Sequence, residues 1–155
     1  MELGNIERDE SNYDESLQAY KTAFAIYRKL QHRKGEAEAL YGMGIVYQRL
    51  GQYEDTIRHY EQAVVLAREI GNKNSEGTFL GNLASVYANL GQYDRAITHN
   101  EQAIDIARQI GNKASEGHNL GNIGLLLANI GQYDRAISHY EEAIEIAREI
   151  GNRSA

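Results

Sequence analysis

The sequence predicts an all-α fold, a solenoid of stacked antiparallel helix hairpins, and three observations predict it. Gly-Gln-Tyr occurs at 51–53, 91–93 and 131–133, and Gly-Asn at 71–72, 111–112 and 151–152, both advancing by 40 residues. A fixed period of this length marks a repeat architecture. Within each unit the apolar residues step by three and four, as a helix stripe does, and no segment alternates like a half-buried strand. The chain of 155 residues contains no proline and is rich in good helix formers.

Residues 93–110 show the stripe: Tyr93, Ala96, Ile97, Ala103, Ile104, Ile106, Ala107 and Ile110. It recurs as Tyr133, Ala136, Ile137, Tyr140, Ala143, Ile144, Ala147 and Ile150. Leu80, Leu83, Val86, Tyr87 and Leu90 form the shorter stripe of the preceding helix. Gly91 and Gly71 follow the last apolar residue, where a left-handed cap needs no Cβ. Asn72 then suits the N-cap of the next helix. The expected helices are 2–10, 13–30, 34–50, 53–70, 73–90, 93–110, 113–130 and 133–150. One hairpin cannot bury both apolar faces, whereas a stack of hairpins can.

The organisation expected is one array over 1–155. It comprises a partial repeat at 1–30, with Ser11-Asn12-Tyr13 in the Gly-Gln-Tyr slot, full repeats at 31–70, 71–110 and 111–150, and the start of a further repeat at 151–155. Both ends read as cut from a longer array. Ile137 and Ile144 are expected to face solvent, which would make self-association through the repeat ends a possible homo-oligomer.

The totals exclude several functions. The formal net charge is -6, which opposes non-specific nucleic-acid binding. Without cysteine, thiolate catalysis, disulfides and Cys-ligated zinc are impossible, and a cytoplasmic setting is expected. No apolar run approaches the ~20 residues that span a bilayer. His59, His99 and His139 recur once per repeat, too far apart to share a metal ion. Asp94, Arg95, Glu101 and Arg108 are expected to be solvated helix charges, with Glu101 facing Arg108. No carboxylate pair, serine–base pair or phosphate loop stands out. The expectation is a non-enzyme with no cofactor, no metal, no nucleic acid and no membrane partner. Most of the 11 tyrosines fall on packing slots, among them Tyr47, Tyr53, Tyr60, Tyr87, Tyr93, Tyr133 and Tyr140.

The repeat resembles the tetratricopeptide repeat. Helix A of each unit carries Leu40, Met43, Gly44 and Tyr47, then Leu80, Leu83, Ala84 and Tyr87, then Leu120, Ile123, Gly124 and Leu127. Helix B carries Thr56, Tyr60 and Ala63, then Ala96, Asn100 and Ala103, then Ala136, Tyr140 and Ala143. The unit exceeds the family's usual ~34 residues. It looks like the long variant of kinesin light chains, Pins-type adaptors and bacterial multi-repeat regulators. The resemblance implies a right-handed superhelical solenoid. Asn100 departs from the aromatic at its slot and would weaken the core if buried without a partner.

The resemblance also implies a groove lined by helix A. It falls on Glu38, Tyr41, Gly42, Ile45, Gln48 and Arg49, then on Thr78, Gly81, Asn82, Ser85, Ala88 and Asn89. In the last copy it falls on His118, Gly121, Asn122, Leu125, Ala128 and Asn129. These positions lie off the apolar stripe at helical spacing. Asn82 and Asn89, like Asn122 and Asn129, lie two turns apart on one face. Their amides both donate and accept, as an extended peptide backbone requires. Gly81 and Gly121 would let that backbone approach. Family members that grip a C-terminal carboxylate set Lys or Arg near the Asn82-like site. Here only Arg49 is available, at another position, so a carboxylate clamp is not expected. The function expected is a protein-interaction scaffold that takes a peptide segment of a partner. Alternatives are an end-to-end assembly module and the sensor fragment of a larger regulator.

Overall fold

In the computed structural model, residues 3–153 are described, with side chains from 12 to 151. Seven helices follow one another: α1 (Leu3–Lys29), α2 (Arg33–Arg49), α3 (Tyr53–Glu69), α4 (Lys73–Asn89), α5 (Tyr93–Ile110), α6 (Lys113–Asn129) and α7 (Tyr133–Arg153). The described residues contain no strand. The chain divides into two compact units, α1–α3 up to Gly71 and α4–α7 from Asn72. In the first, α2 packs on both α1 and α3. In the second, the hairpins α4/α5 and α6/α7 join through α5 against α6.

The glycines after the helices work as expected. Gly51, Gly71, Gly91, Gly111 and Gly131 all have φ near +70°. At Gly91, its N–H donates to the Ala88 carbonyl (3.0 Å) and the Gln92 N–H to the Tyr87 carbonyl (2.9 Å). That pair of bonds is the Schellman ending, which satisfies two carbonyls left over by the helix. Asn72 and Asn112 then cap α4 and α6, each Oδ1 accepting from the N–H of Ser75 or Ser115. His32 does this for α2 through Nδ1, which accepts from the Gly35 N–H, and Gln31 takes the left-handed position.

Two expected breaks are absent. The sequence splits 1–30 into helices 2–10 and 13–30, but α1 is one helix through Ser11-Asn12-Tyr13. No glycine stands in that slot to take a left-handed turn, so the helix continues. Gly151-Asn152 likewise starts no new turn, since α7 continues to Arg153. Gly111, with the same Gly-Asn sequence, does turn, and α6 packs back on α5. Residues 154 and 155 of the expected further repeat lie outside the described residues.

The second unit's core gathers Ile104 of α5, Leu120, Ile123 and Leu127 of α6, and Ala136 and Ile146 of α7. The tyrosines at the helix starts were expected in packing slots, but Tyr133 is 66% exposed. Tyr133 is the first residue of α7 and the first of its stripe. Ile137 and Ile144 are exposed as expected.

Size pairs set the spacing of helix A and helix B. A Cβ on Gly44 would lie 2.5 Å from the Tyr60 ring, and one on Gly124 would lie 2.8 Å from the Tyr140 ring. The aromatic of helix B therefore sits directly against a bare backbone of helix A. In the repeat between them the pair is Ala84 with Asn100, a larger residue facing a smaller one.

Candidate functional site

In the second unit, α4 and α6 flank a trough floored by α5, with a volume of about 350 Å³. Ala103, Ile106, Ala107 and Ile110 form the apolar floor. The walls carry Thr78, Asn82 and Ser85 from α4 and Ser115, His118 and Asn119 from α6. Four residues placed on the groove by sequence, Thr78, Asn82, Ser85 and His118, thus meet in one cleft. A smaller cavity of about 160 Å³ shares Ser85 and is bordered by Asn89, Asn122, Leu125 and Asn100. Asn129 is exposed at the end of α6 and borders neither.

Tyr41 and Arg49 lie on α2, in the other unit. The Tyr41 ring stacks on Tyr60 at 5.2 Å, and the Tyr60 hydroxyl donates to Gln48 Oε1 at 2.9 Å. Burial, then the neighbouring Tyr41, push the Tyr60 hydroxyl well above its ordinary range, so it stays a donor. Arg49 is exposed. Gly42, expected in the groove, is buried because the Tyr20 ring of α1 covers it, and an added Cβ would meet that ring at 2.3 Å. Gly81 also has a packing reason, since its Cβ would lie 3.3 Å from Asn119 Oδ1 across the trough. At Gly121 the space is open.

The wall side chains are steadied by their own helices. Asn82 Nδ2 donates to the Thr78 carbonyl (2.9 Å), Ser85 Oγ to Gly81 (3.1 Å) and Asn119 Nδ2 to Ser115 (2.8 Å). Each bond fixes a rotamer, and a primary amide has a second N–H and a carbonyl besides. Lys73 borders the trough, but its Nζ already donates to Glu76 at 2.9 Å.

Three carboxylates that the sequence did not single out are buried: Glu36, Glu76 and Glu116. Each is paired with a cation three residues earlier, Arg33, Lys73 or Lys113. The repeated Lys/Arg-x-x-Glu at the helix start was the available signal. Arg108, expected beside Glu101, instead donates through Nε to Glu116 (2.7 Å) and through a terminal nitrogen to Glu142 (2.7 Å). Burial opposes ionisation of Glu116, but the hydrogen bonds from Arg108 and Lys113 outweigh it and hold the carboxyl below its ordinary value. The same pairing raises the Arg108 pKa.

The histidine ladder is structural. His59, His99 and His139 each donate from Nδ1 to the carbonyl four residues back, at 2.7–2.8 Å. The His59 and His99 rings lie against Tyr47 and Tyr87. Among the described residues no group of His, Asp or Glu could hold a metal ion, and no helix is long and apolar enough to cross a membrane.

Asn100 fulfils its expectation as a weak point. It is 2% exposed, its Nδ2 donates to the Ala96 carbonyl at 3.0 Å, and its Oδ1 has no partner among the described residues. An orphaned buried acceptor costs about 1–3 kcal/mol. Sequence reasoning placed Asn100 in the core. That it borders a cavity depends on the size pair it makes with Ala84.

No curated protein matches the chain. Three solved structures share its fold. A putative kinesin light chain with TPR-like repeats from Podosopora anserina has TM-score 0.72 and 19% identity, over 96% of this chain and 73% of that one. Aspartyl phosphate phosphatase F from Bacillus subtilis has TM-score 0.83 and 20% identity, over 94% and 39%. A signal transduction ATPase with a tetratricopeptide repeat sensor from Pyrococcus horikoshii has TM-score 0.78 and 25% identity, over 88% and 21%. The chain therefore spans less than half the length of the last two. The family model described as "Tetratricopeptide repeat" matches residues 1–69, 35–109 and 75–149. With helix hairpins, size pairs and glycine caps repeating along it, the chain belongs to the tetratricopeptide repeat family, whose repeats mediate protein–protein interaction.

Proposed function

We propose that this chain is a scaffold that takes an extended peptide segment of a partner protein in the α4/α6 trough. The observation that carries this is the meeting of Thr78, Asn82, Ser85 and His118 over an apolar floor. Amide and hydroxyl walls suit a peptide backbone, and Ile106 and Ile110 suit apolar side chains. A cytoplasmic setting fits the cysteine-free composition, and a role without catalysis belongs to the same reading.

The test is selection of peptides from a random display library on the whole chain. Peptides selected by the wild type should bind the Asn82→Ala/His118→Ala variant, which removes a polar side chain from each wall, about tenfold or more weakly, the loss expected for two hydrogen bonds. Unchanged affinity would remove the trough as the site.

End-to-end assembly is the second reading, favoured by the exposed Ile137 and Ile144 of α7. It requires sedimentation to show concentration-dependent association that Ile144→Glu abolishes. The sensor reading, in which this chain serves a larger regulator, shares the trough and differs only in what lies beyond it.

A further inference from the structure

A cavity of about 530 Å³ opens in the first unit between α1, α2 and α3. Phe24, Leu40, Val65 and Leu66 give it apolar surface, and Arg28, Arg33 and Arg58 are its cations. In the second unit the matching residues close on one another: Arg108 donates to Glu116 and to Glu142, both at 2.7 Å. Arg28 matches Arg108, Glu36 matches Glu116 and Gln62 matches Glu142. Yet Arg28 makes no hydrogen bond or ion pair among the described residues. The other charges at the cavity are engaged. Glu36 is held by Arg33 at 3.2 Å, Arg33 also reaches Glu69 at 2.6 Å, and Arg58 pairs with Asp55. Glu61 is exposed and has a partner of its own. Three differences between the repeats, all on α3, set this charge pattern. Gln62 stands for Glu142, Val65 for Glu145 and Arg58 for Ser138, so two acids are lost and a cation is gained. Val65 is 51% exposed, in a slot that carries Asp105 and Glu145 in the other repeats.

We propose that this cavity docks a partner protein through a glutamate side chain next to an apolar residue. The glutamate takes the place on Arg28 that Glu142 takes on Arg108, and the apolar side chain covers Val65 and Phe24. A guanidinium holds a carboxylate through two parallel, charge-assisted hydrogen bonds. A lysine or arginine guest would meet three arginines at once. A nucleic-acid phosphate would leave Val65 and Phe24 uncovered, and the net charge of -6 opposes it. The carboxylate on Arg108 is a side chain's, reaching in from a backbone on a neighbouring helix. The same reach assigns the Arg28 site to an internal glutamate rather than a chain terminus. The cavity shares no residue with the trough, and neither site depends on the other.

The probe is acetyl-Glu-Leu-amide, titrated into the isotope-labelled whole chain while the arginine Nε–H signals are followed. Acetyl-Gln-Leu-amide, which lacks the charge, and N-acetylleucine, whose carboxylate is terminal, are the comparisons. The glutamate peptide should shift the Arg28 Nε–H and the Val65 methyl signals saturably, with affinity about fivefold or more above the glutamine peptide's. Added salt should weaken it, because Arg28 is exposed. Arg28→Gln should lose the response. Gln62→Glu supplies the carboxylate from α3, as Glu142 does from α7, and should weaken binding about fivefold or more while the chain folds as before. No saturable shift at Arg28, equal affinity for the glutamate and glutamine peptides, or an equal response at the exposed Arg148 overturns the site. Unchanged binding by Gln62→Glu overturns it too. Tighter binding of N-acetylleucine than of the glutamate peptide overturns the assignment to an internal glutamate.

Discussion

Helices α5 and α7 carry almost the same sequence in the same unit and meet different surroundings. Ile104 of α5 is 4% exposed, whereas Ile144, one repeat later, is 50% exposed. Ala107 is buried and Ala147 is exposed. The amphipathic stripe is thus only an offer of burial; the following helix A decides whether the offer is taken up. Truncation separates the two most sharply. Ile104→Ala should cost about 2–4 kcal/mol in urea unfolding, because it removes transfer energy and leaves a hole among Leu120, Ile123 and Leu127. Ile144→Ala should cost under about 1 kcal/mol. Similar losses at both positions would mean that α7 is covered by something else in solution.

The middle of the two helices gives the next contrast. Tyr140 rests on Gly124, while Asn100 faces Ala84. Asn100→Tyr alone should destabilise by about 1–3 kcal/mol, since its ring would press on the Ala84 methyl. Adding Ala84→Gly should recover most of that loss, a coupling that a double-mutant cycle measures. Additive effects would show that the size pair does not set the helix spacing.

The legible part of this molecule was whatever repeats locally. The helix ends at 51, 71, 91, 111 and 131 followed from glycine in a fixed place, because the left-handed turn needs only that residue and its neighbours. The wall residues Thr78, Asn82, Ser85 and His118 followed from the family resemblance, with which their position off the apolar stripe agrees. What did not follow depends on contacts distant in sequence. Gly42 looked like an open groove residue because nothing nearby reveals that Tyr20 lies on it. Arg108 was matched with Glu101 by helical spacing, but Glu116 and Glu142 on two other helices reach it. Asn119 was absent from the expected walls, since its slot reads as core until α4 and α6 come together.

Arg108 also separates the two helices electrostatically. It ties α5 to Glu116 of the next hairpin, whereas Arg148 of α7 is exposed, with no following hairpin in the described residues. Arg108→Met should cost about 1–2 kcal/mol, between a surface pair and a buried one, because the arginine is half exposed. Arg148→Met should change nothing measurable. Because the Glu116 carboxyl titrates lower in the folded chain than its ordinary 4.5, the unfolded chain takes up the proton first. Its stabilisation is therefore complete above about pH 4.5 and is lost as the pH falls through the lower folded value. Acid unfolding of Arg108→Met should show a weaker dependence on pH below 4.5 than the wild type.

The smallest effect has the clearest sign. Gly111 ends α5 with φ +69°, and Gly151 occupies the same place in the repeat but sits inside α7. Alanine at 111 must hold a left-handed backbone, at a cost of about 1 kcal/mol. Alanine at 151 replaces a glycine in a helix, where it loses less entropy on folding, so it should stabilise by up to about 0.5 kcal/mol near a fraying end. For a chain of this size the Gly111→Ala melting temperature should drop by about 3 °C and that of Gly151→Ala should stay level or rise slightly. If both variants lost stability, Gly151 would be making the same left-handed turn as Gly111. The ending of helix B would then be written in the Gly-Asn sequence itself. Opposite signs would instead place the decision in the packing of the next helix, as the exposure of Ile144 already suggests for the stripe.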